Sequence, residues 1–173
     1  MLGLPLALVL SACSVGASGV EVRQAGNPDN RGDEAAALAD VAERSPMAVG
    51  LMTICVDGAS SAELTAVDPI GTDDIEVTAF TVVDVQRETF AASRKSLSAE
   101  GFDTTAHTVA GRCGAEGDDG ASKLLVEMER LTPESATTDG FRVHWRAEGD
   151  EGTFDILFEN SICAPGDVAC SDI

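Results

Sequence analysis

The sequence has no tyrosine, a single tryptophan (Trp145), two histidines (His107 and His144) and two lysines (Lys95 and Lys123). Each scarcity removes support from a class of activity. With Trp145 expected on a core face, the chain lacks the exposed aromatic platforms on which sugar rings stack and the aromatic anchors that dominate protein interfaces. With 11 basic against 30 acidic residues and a formal charge of −19, little can be gained by displacing counterions from phosphates, so nucleic acid is disfavoured as a partner. Anionic lipid head groups repel such a surface as well. The sequence contains no Gly-x-Ser-x-Gly, Ser-x-x-Lys or His-Glu-x-x-His, which leaves serine nucleophiles and zinc proteases without a signature. It also lacks Cys-x-x-Cys, and its histidines are remote from the cysteines, so neither metal nor cofactor is expected.

Long apolar runs are missing too. The first twelve residues, Met1 to Ala12, are apolar but too short for a helix that crosses a bilayer, which needs roughly 20 residues. They fit the core of a secretory signal. The segment ends in Leu10-Ser11-Ala12-Cys13, which resembles the lipobox of bacterial lipoproteins: an aliphatic residue, two small residues that a signal peptidase can admit, then cysteine. The resemblance implies a diacylglycerol on the Cys13 thiol and cleavage before it, and hence a partner in the membrane reached through covalent lipid. Each buried CH₂ of the acyl chains contributes about 0.8 kcal/mol, so two or more chains hold firmly.

Apart from Cys13, the cysteines are Cys55, Cys113, Cys163 and Cys170. An even number in an exported chain points to disulfides. Of the three possible pairings, Cys163 with Cys170 is favoured because Pro165 and Gly166 can fold the short loop back, which leaves Cys55 for Cys113.

Residues 1–12 are therefore read as signal peptide, 13–46 as a lipid-anchored stalk with a short helix, and 47–173 as one β domain. The helix is expected from Asp33 to Arg44, where Glu34, three alanines and Leu38 favour it, an acidic start suits the helix dipole and Pro46 stops it. From Met47 the texture changes to β-branched runs separated by Gly, Asp, Pro and Ser. Strands are expected near Met47 to Val56, Ala62 to Val67, Asp74 to Val85, Thr105 to Ala110, Lys123 to Arg130, Phe141 to Ala147 and Thr153 to Asn160. About seven strands suit an antiparallel, immunoglobulin-like β-sandwich.

The last two strands alternate with period two, Phe141, Val143 and Trp145 on one face of the first and Phe154, Ile156 and Phe158 on one face of the second. The expected register pairs Trp145 with Phe154, Val143 with Ile156 and Phe141 with Phe158, around a turn in Glu148 to Gly152. It sets His144 opposite Asp155 and Arg146 opposite Thr153.

Arg142, His144 and Arg146 then form a basic stripe on an acidic protein, a candidate anion site whose bland alternative is pairing with neighbouring carboxylates. Asp73-Asp74 and Asp118-Asp119 are candidate calcium loops without EF-hand spacing. In addition, Gly101-Phe102, Leu124 to Glu127 and a closing hairpin that ends in Cys163 resemble uncharacterised lipoproteins of high-GC Gram-positive bacteria. That resemblance implies no activity. The expected function is a non-catalytic binding or structural module of the cell envelope, on the outer side of the cytoplasmic membrane. The rival is an envelope hydrolase using His144 with a neighbouring carboxylate.

Overall fold

A computed structural model describes residues 19–25, 36–84, 90–114 and 121–170. The signal segment, Cys13, the first residues of the expected helix and Asp118-Asp119 lie outside the described residues. What is described is mostly β, in twelve strands: β1 (Glu21–Gln24), β2 (Ala36–Leu38), β3 (Met47–Asp57), β4 (Ala62–Ile70), β5 (Ile75–Asp84), β6 (Ala92–Ser93), β7 (Thr108–Val109), β8 (Ser122–Arg130), β9 (Ala136–Thr138), β10 (Gly140–Ala147), β11 (Asp150–Ile156) and β12 (Asn160–Ile162).

Three sheets result. The first runs β1-β3-β8-β5 with β6 paired to the start of β3, the second β11-β10-β4-β7, and the third β2-β12-β9. One apolar core draws on the first two, with Val49, Val126 and Met128 from one and Leu64, Val143 and Trp145 from the other. The first sheet is covered on its other side as well. There Ala48 and Leu125 pack with Leu97, Phe90 and Phe102 of the segment that follows β5. Glu127 pins this cover, accepting the Leu97 N–H at 2.7 Å and the Thr78 hydroxyl at 3.0 Å. Burial on both sides accounts for the unbroken Leu124-Leu125-Val126 run at the centre of β8, whose alternate residues enter the two apolar clusters.

The strands give the molecule two poles. β3 alone extends for 11 residues, whose ten steps of about 3.3 Å separate the poles by roughly 33 Å. At the lower pole, Glu21 pairs with Asp57, β3 turns into β4 through residues 58–61, and β10 turns into β11. At the upper pole, Ile75 pairs with Arg130, Gly140 pairs with Ile70, and the third sheet carries the chain to its C-terminal loop.

Both expected disulfides are present. Cys55–Cys113 ties the segment after β7 to β3 near the lower pole, and Cys163–Cys170 closes the upper-pole loop. Asp167 holds that loop by accepting the Ser135 hydroxyl at 2.5 Å, and Asp40 accepts the Gly166 N–H at 3.1 Å.

Several expectations need correction. No α-helix occurs among the described residues: Ala36–Leu38 is a strand lying parallel to β12, and Asp40 and Arg44 have φ of 54° and 53°, which a helix cannot contain. Helix propensity here yields to pairing and to the Val41 and Cys163 backbone contact. Within the stretch read as stalk, β1 pairs with β3 over all four of its residues and buries Val22. The closing hairpin keeps its faces but slips by two residues. Phe141 faces Ile156, Val143 faces Phe154 and Trp145 faces Gly152. The turn is Glu148-Gly149, both with positive φ (52° and 96°), the two-residue type I′ geometry that matches strand twist. Phe158 falls beyond β11, and Arg142, not His144, stands opposite Asp155.

Candidate functional site

The outer face of the second sheet carries the basic stripe. Alternation along β10 turns Phe141, Val143 and Trp145 inward and Arg142, His144 and Arg146 outward. Because β10 is central, its outer side chains find partners on both neighbours. Arg142 donates two hydrogen bonds to Asp155 of β11 at 2.8 and 2.9 Å. His144 Nε2 lies 2.9 Å from Asp68 Oδ2 of β4. Arg146 donates twice to Glu63 Oε2 of β4, at 3.0 and 2.7 Å. The stripe is thus the spine of a three-rung ladder, with arginine–carboxylate ion pairs at its ends and a histidine–carboxylate hydrogen bond between them.

The first rung is tight enough to perturb both partners. Hydrogen bonding to Arg142 holds the Asp155 carboxyl below the usual carboxylate range, and Asp155 in turn raises the Arg142 guanidinium. An anion arriving at Arg142 would have to displace a bidentate carboxylate, and His144 and Arg146 are likewise engaged by Asp68 and Glu63. The hydrolytic pair imagined for His144 therefore has Asp68 as its acid, on an open sheet face.

Two clefts of about 500 Å³ each lie side by side at the lower pole. The first runs from Ser60 to the β10–β11 turn, with Glu63 and Glu151 on its walls, and the second lies between Gly58 and Arg112, with Glu148 between the two. Neither includes His144. A third groove of about 440 Å³ separates β4 from β5. His107 stacks on Phe80 there with ring centroids 4.2 Å apart, and its Nε2 lies 2.9 Å from the Thr104 carbonyl. The backbone of this segment clips the two sheets together, His107 accepting from the Leu64 N–H and Ala106 from the Val82 N–H. His107 is thus built into a seam.

Among the described residues, no group of three or more His, Cys, Asp or Glu is arranged to hold a metal ion, and no helix is long and apolar enough to cross a membrane. Asp73 and Asp74 are exposed, and the Asp74 N–H donates to Thr72 Oγ1 at 3.0 Å.

Arg130 escaped sequence reasoning. It is 1% exposed, and its guanidinium donates to the carbonyls of Thr132, Glu134 and Val41. It clamps the end of β8 to the loop before β9 and to the chain after β2. The only sequence signal is an arginine closing a strand with an apolar centre, a place where an exposed cation is equally natural.

No protein-family profile matches the chain, and neither a curated protein nor a solved structure is similar to it.

Proposed function

We propose that the protein is a lipid-anchored, non-catalytic module of a bacterial cell envelope, with an immunoglobulin-like sandwich held outside the cytoplasmic membrane by a diacylglycerol on Cys13. The observation that carries the reading is the lipobox tetrad Leu10-Ser11-Ala12-Cys13 at the end of an apolar leader, followed by a body with two disulfides. Disulfides persist in oxidising compartments outside the cytoplasm. The compensation of Arg142, His144 and Arg146 by carboxylates favours a structural role for the stripe over anion capture or hydrolysis.

The test is expression in a bacterium fed a clickable palmitate. The protein should incorporate the label, partition into detergent, and give an N-terminal peptide that begins at a thioether-modified Cys13. Cys13→Ala should abolish both label and partitioning. Wild-type protein without label, or with free thiols at Cys55 and Cys113, would remove the proposal.

A further inference from the structure

The chain enters the folded body at the lower pole, and the length left before it is short. Glu21 pairs with Asp57, and the Gly19 carbonyl lies against Gly58, within 2.8 Å of where a β-carbon there would stand. From Cys13 to Glu21 there are eight residue steps, which reach at most about 28 Å fully extended and about 16 Å as a flexible coil. Both figures are smaller than the roughly 33 Å between the poles along β3. Resting on the lipid-anchor reading, we propose that the tether holds the molecule in one sense: the lower pole faces the bilayer, and the upper pole, with the Cys163–Cys170 loop and the third sheet, faces outward.

The lower pole also has a charge that sets its distance from the lipid. Arg23 neutralises Asp57 at 2.9 Å and Arg146 neutralises Glu63 at 2.7 Å. That leaves Glu148, Asp150 and Glu151 around the clefts, with Arg112 as the remaining cation lining them. An anionic bilayer repels this pole over about a Debye length, 8–10 Å at ordinary ionic strength. The lower pole thus stands farther off over anionic lipid than over neutral lipid or in high salt. The clefts stand within a tether's length of the head groups, closed to large partners, and docking is left to the outward pole and the sides.

Energy transfer tests this on full-length lipidated protein in vesicles of phosphatidylcholine containing a trace of dansyl phospholipid. Trp145, the sole tryptophan, lies near the lower pole opposite Gly152 and should transfer efficiently. Moving the donor to the upper pole, with Trp145→Phe and Val168→Trp, should lower transfer at least twofold; equal or greater transfer from the upper donor overturns the orientation. If that variant does not fold, inserting ten Gly/Ser residues between Ser14 and Val15 should lower transfer from Trp145 about twofold, and no change overturns the proposal. Substituting phosphatidylglycerol for part of the neutral lipid should also lower transfer, and salt should restore it; insensitivity to both rejects the charge argument. Protein that fails to float with the vesicles sinks the anchor reading itself, which separates the two failures.

Discussion

Trp145 and Gly152 face each other across the β10–β11 hairpin, and the indole occupies the space a side chain at 152 would need. A β-carbon built on Gly152 would come within 2.6 Å of the indole Cζ2. The largest side chain of the core therefore depends on the smallest residue of the edge strand. Gly152→Ala should push the ring from its rotamer and cost about 1–3 kcal/mol, the usual range for overpacking. Urea unfolding followed by the fluorescence of this one tryptophan should show a lower midpoint and a shifted native emission maximum; an unchanged spectrum would contradict the contact.

Arg130 should prove more important than its position at the end of a strand implies. Arg130→Met keeps most of the apolar stem but removes the guanidinium donor from the carbonyls of Val41, Thr132 and Glu134, of which Glu134 keeps the Thr132 hydroxyl. An unmet buried acceptor costs about 1–3 kcal/mol; the bond to Val41 is buried and those to Thr132 and Glu134 partly so, and with the lost packing of the guanidinium a total loss of about 2–4 kcal/mol is expected. Hydrogen exchange should show the Arg44 amide, which donates to the Arg130 carbonyl, losing protection first. Uniform loss across all sheets would mean that the clamp is not local.

The two disulfides should differ in weight. Cys55–Cys113 closes a separation of 58 residues and Cys163–Cys170 one of 7. Loop-closure entropy then gives about 4 kcal/mol for the first and about 2.5 kcal/mol for the second. Alanine pairs at each site, compared by denaturant midpoint, should preserve this order, and its reversal would show that the upper-pole loop carries native contacts the entropy argument ignores.

The sequence revealed the long strands and hid what holds them in register. Each long strand showed its alternation or its apolar run, and the seven expected strands all correspond to strands of the fold. The short ones, such as β1, β2 and β12, have 3 or 4 residues, too few for a period, and exist because a neighbouring strand pairs with them. The hairpin slip has a similar origin. A shift of two residues leaves every side chain on its face, so alternation cannot choose between registers, and Gly152 read as a turn residue when its role is to admit the indole. At the ladder, the basic stripe was legible on β10 because it lies within one strand. Its partners Glu63 and Asp68 were not, because they lie on β4, 83 and 76 positions away from Arg146 and His144.

Asp155 provides a pH-dependent signature of the ladder. Its carboxyl is held below the ordinary value by the hydrogen bond from Arg142. A carboxyl depressed in the folded state contributes stability that is present above the unfolded value, near 3.9, and lost as pH falls through the folded one. In Arg142→Met the Asp155 pKa should rise toward the ordinary value in a carbon-detected NMR titration, and stability should fall less steeply below pH 4. An unmoved Asp155 titration would mean that the pair does not persist in solution.

The hairpin turn offers a change that should stabilise. Glu148 and Gly149 both have positive φ, 52° and 96°, as a type I′ turn requires, and glutamate at the first position bears the left-handed backbone cost of about 1–2 kcal/mol. Asparagine tolerates that region far better and is the preferred partner of a following glycine. Glu148→Asn should therefore raise stability by about 0.5–1 kcal/mol. It also removes a carboxylate from the acidic lower pole, so the gain has two sources. Glu148→Gln separates them, since it removes the same charge without the turn preference. If the glutamine variant gains as much as the asparagine one, charge is the cause and the backbone argument fails; if only asparagine gains, the two-residue turn is the element that fixes the register of the closing hairpin.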